Sequence, residues 1–390
     1  MRIGKNGLEY TKEEFFSISN KAENKLKKHR SKGKCMYNSC NNNSIDSHTI
    51  PKEESLNSIA VNRKVGHFIS KRNAFNKEIQ YKESDINNVT TFKGFCSKHD
   101  NELFKCIDNN PNIKTGKEIL LQAYRSICKS VFDEASYKVI EVPQFSEIHP
   151  LSMYHVFKDI LDSASNEYSK NLSRIHKVLL KYKDSLENDI KNNFANISIE
   201  KINSSETQII KTSDKNITIL YHWFNWRIPV SLFNYHAFGF DGSLSGILNF
   251  TYIPYQNSSE AFWIFLDKDF HIFDKPWKWF ISKKINTLNV IESSMMTSEF
   301  WCISPKVIET LPETRKNIFF KDMFFINERN GLFAEYDMSI FDDIRKELIK
   351  SNMCNIEKES QKFNAPIRES DEIRKKRFDE ALALNFFHSH

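Results

Sequence analysis

Two short pairs of metal-binding side chains constrain the fold of this chain more than any other feature. Four residues separate Cys35 from Cys40, and two residues separate Cys96 from His99. The first pair lies in residues 31–51, which are rich in Asn, Ser and Cys and show no helical or strand period, so this stretch needs something other than an apolar core to fold. Tetrahedral zinc takes four sulfur or nitrogen ligands, commonly as two close pairs. The sequence therefore predicts a structural Zn²⁺ site formed by Cys35, Cys40, Cys96 and His99; the alternative is three unconnected thiols and a surface histidine.

The length and composition predict a folded chain of two or three domains. The 390 residues are 40% hydrophobic and 13% aromatic, which is enough for sizeable cores and excludes a disordered chain. The longest apolar run, Ala261–Leu266, falls far short of the ~18 residues that a membrane helix needs. No apolar segment follows the first residues, and the seven cysteines are scattered, so we expect a cytoplasmic protein with free thiols or metal ligands instead of disulfides.

The positive charge is concentrated near the N-terminus. Residues 1–110 contain 20 lysines and arginines against 13 aspartates and glutamates, whereas the whole chain has a net charge of only +6. Such an excess is the minimum needed for contact with a polyanion. A short basic run on a solvated helix would produce the same numbers, so charge by itself leaves both interpretations open.

The residues around the ligand pairs resemble a known family. The first Cys pair is followed by Ser47-His48-Thr49-Ile50-Pro51, and the second pair runs into Asp100-Asn101-Glu102-Leu103-Phe104. This order resembles the HNH endonucleases that carry a structural zinc, over about residues 30–106. The resemblance implies a ββα-metal fold on a treble-clef zinc knuckle.

The resemblance also implies roles for two residues in metal-dependent cleavage of nucleic acid. His48 would be the general base that activates water, and Asp100 would hold a catalytic Mg²⁺ or Mn²⁺. The chain departs from the family at Ser47, where an acidic residue is common, and in the long gap before Cys96. The alternatives are a packed or hydrogen-bonded His48, an Asp100 favoured by the helix N-terminus, and a non-catalytic zinc-knuckle protein that binds nucleic acid or a partner protein.

Four basic residues in the gap between the ligand pairs are candidates for phosphate contacts. Arg63, Lys64, Lys71 and Arg72 would bind the backbone of a nucleic acid, with DNA as the expected partner. Many bacterial restriction and phage-defence proteins combine a small nuclease module with a large sensing domain. This chain resembles them in its domain organisation. We therefore expect a role in antiviral defence.

The remainder of the chain predicts an α+β fold with three parts. Residues 1–112 would form the zinc module with an N-terminal helix at residues 11–30, residues 113–204 a helical segment, and residues 205–390 an aromatic-rich mixed α/β domain with a C-terminal helix. The predicted strands are Thr207–Lys211, Ile217–Trp226, Ile247–Tyr255 and Ala261–Leu266, and the predicted helices include residues 116–135, 151–193, 276–298, 305–312, 339–352 and 369–384.

Three further expectations concern the rest of the chain. The run Tyr221–Trp226 is more typical of sheet core than of base stacking. The helical segment could pair with a copy of itself, and the C-terminal domain could bind a partner protein. We also expect the isolated Cys106, Cys128, Cys302 and Cys354 to be buried thiols.

Overall fold

The computed structural model describes most of the chain. The described residues are 2–3, 9–10, 24, 27–73, 76–110, 113, 115–139, 174–202, 206–240, 243–298, 300–324, 335–352 and 354–374. Most of the predicted N-terminal helix, residues 151–173 of the predicted helical segment and residues 375–384 of the last helix lie outside them. Residues 27–31, 174–191 and 371–374 are helical, as expected.

The described strands form three antiparallel sheets. β1 (Arg2–Ile3) pairs with β2 (Glu9–Tyr10), and β3 (Asp46–His48) pairs with β6 (Thr91–Lys93) in what we call the small sheet. The main sheet has nine strands in the order β5-β4-β13-β10-β11-β12-β9-β8-β7. These strands are β4 (Lys64–Asn73), β5 (Asn76–Asp85), β7 (Ser198–Ile202), β8 (Thr207–Lys211), β9 (Ile217–Phe224), β10 (Val230–Phe240), β11 (Ser243–Pro254), β12 (Ser259–Leu266) and β13 (Trp301–Ile303).

Helices cover both faces of the main sheet. Besides residues 27–31 and 371–374 and short helical turns at Lys52–Leu56, Asn57–Ile59 and Asp267–Asp269, the described helices are α1 (Ser97–Asp108), α2 (Gly116–Val139), α3 (174–191), α4 (Phe270–Ser282), α5 (Lys284–Met295), α6 (Pro305–Thr310), α7 (Glu313–Phe324), α8 (Asp342–Lys350) and α9 (Ile356–Gln361). The predicted helix at 276–298 is in fact two helices, because Lys283 adopts an extended conformation between them. None of the described helices is long and apolar enough to cross a bilayer.

Two apolar cores lie on opposite faces of the main sheet. Along β12, Trp263 and Phe265 belong to the core under α4 and α5, whereas Phe262 and Ile264 belong to the core under α2 and α3. A sheet covered on both faces needs apolar residues at successive positions, which explains the long apolar runs in these strands. The core interpretation of the run at 221–226 is confirmed for Tyr221 and Phe224, which are buried.

The structure confirms a mixed α+β fold and corrects several local expectations. The strand β10 and the hairpin β4–β5 were not predicted. β4 joins the main sheet through Gly66, which pairs with Ile303 of β13. Cys128 and Cys302 are buried as expected, but Cys106 is exposed, because it lies on the solvent side of α1, and Cys354 is half-buried. The domain boundaries at residues 112 and 204 stay predictions.

Candidate metal centre

The metal cluster consists of Cys35, Cys40, Cys96 and His99, which the structure brings together. Their ligand atoms all lie within 4.8 Å of one another. His99 Nδ1 lies 3.4 Å from Cys35 Sγ and 3.5 Å from Cys96 Sγ, and the sulfurs of Cys40 and Cys96 are 3.8 Å apart. A tetrahedral zinc with typical bond lengths places sulfurs about 3.8 Å apart and sulfur about 3.5 Å from nitrogen. The cluster could therefore hold a metal such as zinc, with Nδ1 as the imidazole ligand.

Local backbone bonds shape the two halves of the metal cluster. In the first half, the Cys40 N–H donates to the Tyr37 carbonyl at 3.1 Å, and Ser39 between them has a positive φ of 68° that closes the turn. In the second half, Cys96 is the residue immediately before α1, and the Asp100 N–H donates to its carbonyl at 2.9 Å. The helix thus carries His99 in its first turn, facing the thiols.

Without a cation, burial favours the neutral thiol of Cys35 over its thiolate. Cys35 is 7% exposed and Cys96 is 4% exposed. Burial raises the pKa of the Cys35 thiol to about 11. Since thiolates are the form that binds metal, a bound cation would have to supply the stabilisation that water cannot.

Several groups around the metal cluster were not predicted from the sequence. The Tyr37 ring packs on the His99 ring at 4.5 Å between centroids, and the Asn42 side chain points its amide at Cys96 Sγ, 4.0 Å away. The Asn38 N–H donates to Glu187 of α3 at 2.9 Å. These contacts orient the ligands and connect the first ligand pair to α3. The one sequence signal for them is that Tyr37, Asn38 and Asn42 lie close to Cys40 in the chain.

His48 lies at the end of β3 with a defined tautomer. Its Nε2 is 3.1 Å from the carbonyl oxygen of Ile86. A carbonyl only accepts, so Nε2 must carry the proton and Nδ1 must keep its lone pair. Burial lowers the pKa of His48 below its usual value, against a smaller opposing effect of the Ile86 bond. The ring is therefore a neutral proton acceptor at pH 7.

Asp100 lies beside the same strand. The Ser47 hydroxyl bonds to its carboxylate, and Ser47 Oγ also accepts from the Phe95 N–H at 3.2 Å. Burial raises the pKa of Asp100, while Ser47 and Arg125 oppose that shift. His48 is near enough for its charge to act on Asp100. One carboxylate with a hydroxyl beside it suits Mg²⁺, which usually takes one or two carboxylates and keeps the remaining positions for water and phosphate.

A partly buried ion pair that acts on these two residues was also missed. Arg125 of α2 is 1% exposed and donates through Nη1 to Asp108 of α1 at 2.8 Å. Both charges act on His48 and Asp100. No local sequence signal marks this pair, because its members lie on two different helices.

The four predicted phosphate-binding residues do not form one cluster. Arg63 precedes β4, is exposed, and lies 3.9 Å from the carboxylate of Asp85. Lys64 begins β4, whereas Lys71 and Arg72 lie near its other end. Seven residues of a strand span about 24 Å, so the backbone positions of Lys64 and Lys71 lie far apart along β4.

Comparison of the chain with protein-family models, with curated proteins and with solved structures finds no match.

Proposed function

We propose that residues 35–108 form an HNH-like, treble-clef zinc module that cleaves DNA phosphodiesters with the help of a divalent metal ion. The observation that carries this proposal is the bond from His48 Nε2 to the Ile86 carbonyl, which leaves Nδ1 as a proton acceptor. Asp100 is near enough to His48 for the two groups to interact electrostatically. The chain order supports the same proposal: Cys35 and Cys40 come first, then β3 and β6 of the small sheet, then Cys96, and then α1 with His99 and Asp100 in its first turn.

The proposed chemistry gives each residue a defined task. His48 Nδ1 takes the proton from the attacking water, which a neutral imidazole can do near pH 7. Asp100 would hold Mg²⁺ or Mn²⁺, and such an ion neutralises charge that develops on the scissile phosphate. The Ser47 hydroxyl would help to orient the Asp100 carboxylate, whose pKa it lowers.

The metal cluster has a structural task in this proposal. Zinc bound to Cys35, Cys40, Cys96 and His99 would hold the start of α1 against the preceding loop. Because Asp100 follows His99 directly, the position of the carboxylate depends on the position of the zinc ligand. Arg63, Lys64, Lys71 and Arg72 would bind DNA phosphates without choosing a sequence.

We further propose that the main sheet and its helices form a sensing or targeting body for the module, in a bacterial defence protein acting in the cytoplasm. The support is organisational: the hairpin β4–β5 extends from the module into the main sheet. The second candidate function is a non-catalytic zinc-knuckle protein that binds nucleic acid or a partner protein. Asp46 favours it, because this exposed carboxylate, the nearest acidic residue before His48, is paired with Lys93 at 2.9 Å.

A plasmid nicking assay tests the proposed function. The full chain, checked for one zinc per molecule, is incubated with supercoiled plasmid and Mg²⁺ or Mn²⁺, and EDTA is added to parallel samples. His48→Ala should abolish nicking and leave zinc content and thermal stability unchanged. His271→Ala, which removes an exposed histidine on α4, is the matched control and should cut like the wild type.

Two results would contradict the nuclease proposal. The first is nicking that survives in His48→Ala, since the proposed base would then be dispensable. The second is a zinc-loaded wild type that binds DNA but leaves it intact with either metal ion, which would favour the non-catalytic candidate.

A further inference from the structure

A cavity of about 440 Å³ lies between the small sheet, α2 and the main sheet. Thr91 and Lys93 line it from the small sheet, Lys129 and Phe132 from α2, and Trp301 from β13. Pockets for small molecules typically measure roughly 300–1,000 Å³ and combine apolar walls with a few polar groups. The cavity has the size and the mixed lining of such a site.

A buried ion pair lies in the wall of the cavity. Lys129 and Asp133 are 7% and 1% exposed, and the Lys129 ammonium donates to both carboxylate oxygens at 2.5 Å. The same ammonium lies over the ring of Phe300, 4.5 Å from its centroid. A buried ion pair rarely stabilises a fold better than apolar side chains would. Charged groups in the wall of a cavity are candidates for contact with a ligand.

The cationic charge of the cavity exceeds the anionic charge. Lys129 pairs with Asp133 and Lys93 pairs with Asp46, so these four charges balance. Arg30 also lines the cavity, and it forms no ion pair with the described residues. It is near enough for its charge to act on Lys129. An anionic group is the complement that the cavity lacks.

Thr90 supplies a second, independent observation. Its backbone has a φ of 55°, a conformation that β-branched residues avoid, and it lies in the wall of the cavity. Its buried hydroxyl has no hydrogen-bond partner within the described structure. Strained backbone and unpaired buried hydroxyls both cost free energy, and both are typical of binding sites.

We propose that this cavity binds a nucleoside monophosphate. The heterocycle would lie against the rings of Phe132 and Phe300, and the phosphate would meet Arg30. The phosphate can belong to a free mononucleotide or to the 5′ end of an oligonucleotide, since both present the same groups. Bound there, the ligand touches the small sheet that carries His48, although the binding itself does not depend on cleavage.

Calorimetric titration of the zinc-loaded full chain tests the proposal. The probes are AMP, GMP, CMP and UMP, each up to about 1 mM, in buffer without Mg²⁺ so that cleavage plays no part. At least one should bind in a 1:1 ratio, and the matching nucleoside should bind at least about tenfold more weakly, because it lacks the charge-assisted bonds. A 5′-phosphorylated dinucleotide distinguishes the two sources: weaker binding than the mononucleotide indicates a site for the free molecule.

The variants separate binding in the cavity from binding elsewhere. Arg30→Gln and Phe300→Leu alter partly exposed side chains and should each weaken binding about tenfold. Lys283→Gln, on an exposed lysine between α4 and α5, should bind like the wild type. The single variant Lys129→Met would leave the buried carboxylate of Asp133 without its cation. The double variant Lys129→Met/Asp133→Leu is therefore used in its place, and it should also weaken binding.

Two results would overturn the proposal. One is that none of the four mononucleotides binds at 1 mM. The other is binding that Arg30→Gln and Phe300→Leu leave unchanged, which would place the nucleotide at another site. Neither result bears on the nicking assay, so the two proposals can fail separately.

Discussion

The free energy of unfolding of the wild type should fall steeply as the pH rises, because of the buried carboxyl group of Glu260. Replacing Glu260 with glutamine should remove this pH dependence. Glu260 of β12 is fully buried and accepts from the Ile113 N–H at 2.6 Å and from the Tyr255 hydroxyl at 3.1 Å. The Tyr221 hydroxyl lies 3.1 Å away but is closer to the Ile113 carbonyl, at 2.5 Å. If Tyr221 donates to that carbonyl, its oxygen is free to accept from a protonated Glu260.

Burial raises the pKa of Glu260 from 4.5 to about 8. The folded protein therefore binds a proton that the unfolded chain releases throughout this interval, so the free energy of unfolding falls as the pH rises from about 4.5 to about 8. Each pKa unit corresponds to a little over 1 kcal/mol, which makes the whole loss about 5 kcal/mol. Below the lower value, this group contributes its full stabilisation.

Urea unfolding followed by tryptophan fluorescence at pH 5, 6, 7, 8 and 9 measures the effect. Glu260→Gln keeps the volume and an acceptor for the Ile113 N–H, so the variant should gain on the wild type by several kcal/mol between pH 5 and pH 9. Glu357→Gln changes an exposed carboxylate on α9 and should follow the wild-type profile. A stability difference between Glu260→Gln and the wild type that does not change with pH would refute the reasoning.

Other substitutions test the metal cluster and a buried charge network. Cys96→Ser should reduce zinc below one per chain, measured by elemental analysis, and expose residues near Cys35 and Cys40 to limited proteolysis; chelation of the wild type should have the same effect. Arg345→Met should cost about 3–5 kcal/mol in urea unfolding, because it removes the cation paired with the buried carboxylate of Glu292 and leaves Glu359 with Lys362 alone, 3.8 Å away. Adding a second change, Glu292→Gln, should recover part of that loss.

The metal cluster could be predicted from the sequence because its information is local. A turn from Cys35 to Cys40 and the first turn of a helix from Cys96 to His99 each fix two ligands within a few residues. Only the contact between the two ligand pairs depends on the fold. Tetrahedral zinc needs four ligands, and three thiols and an imidazole in two close pairs supply that number. The side chains that surround the cluster were not predictable, since Glu187 reaches it from a distant helix.

The hairpin β4–β5 shows why part of the main sheet could not be predicted. Its strands are mostly polar, because β5 is an edge strand, so they lack the apolar runs of β9 and β12. Gly66 of β4 pairs with Ile303, far along the chain, and no local pattern encodes such a partner. The break between α4 and α5 has a similar cause: no glycine or proline marks Lys283, and tertiary packing sets the bend.

The position of this hairpin links the metal cluster to the body of the protein. The chain leaves the cluster at Cys40 and returns at Cys96, and the residues between them include the whole of β4 and β5. Phe68 of β4 packs on Trp301 and Phe319, with ring centroids 5.2 and 5.6 Å apart, and Arg227 donates to the Ser58 carbonyl at 2.8 Å. A metal ion at the cluster would close this loop and reduce the entropy of its unfolded state. The same ion would therefore stabilise both the first turn of α1, where Asp100 lies, and the edge of the main sheet. Loss of the ion should thus lower the stability of the candidate catalytic residues and of the main sheet together.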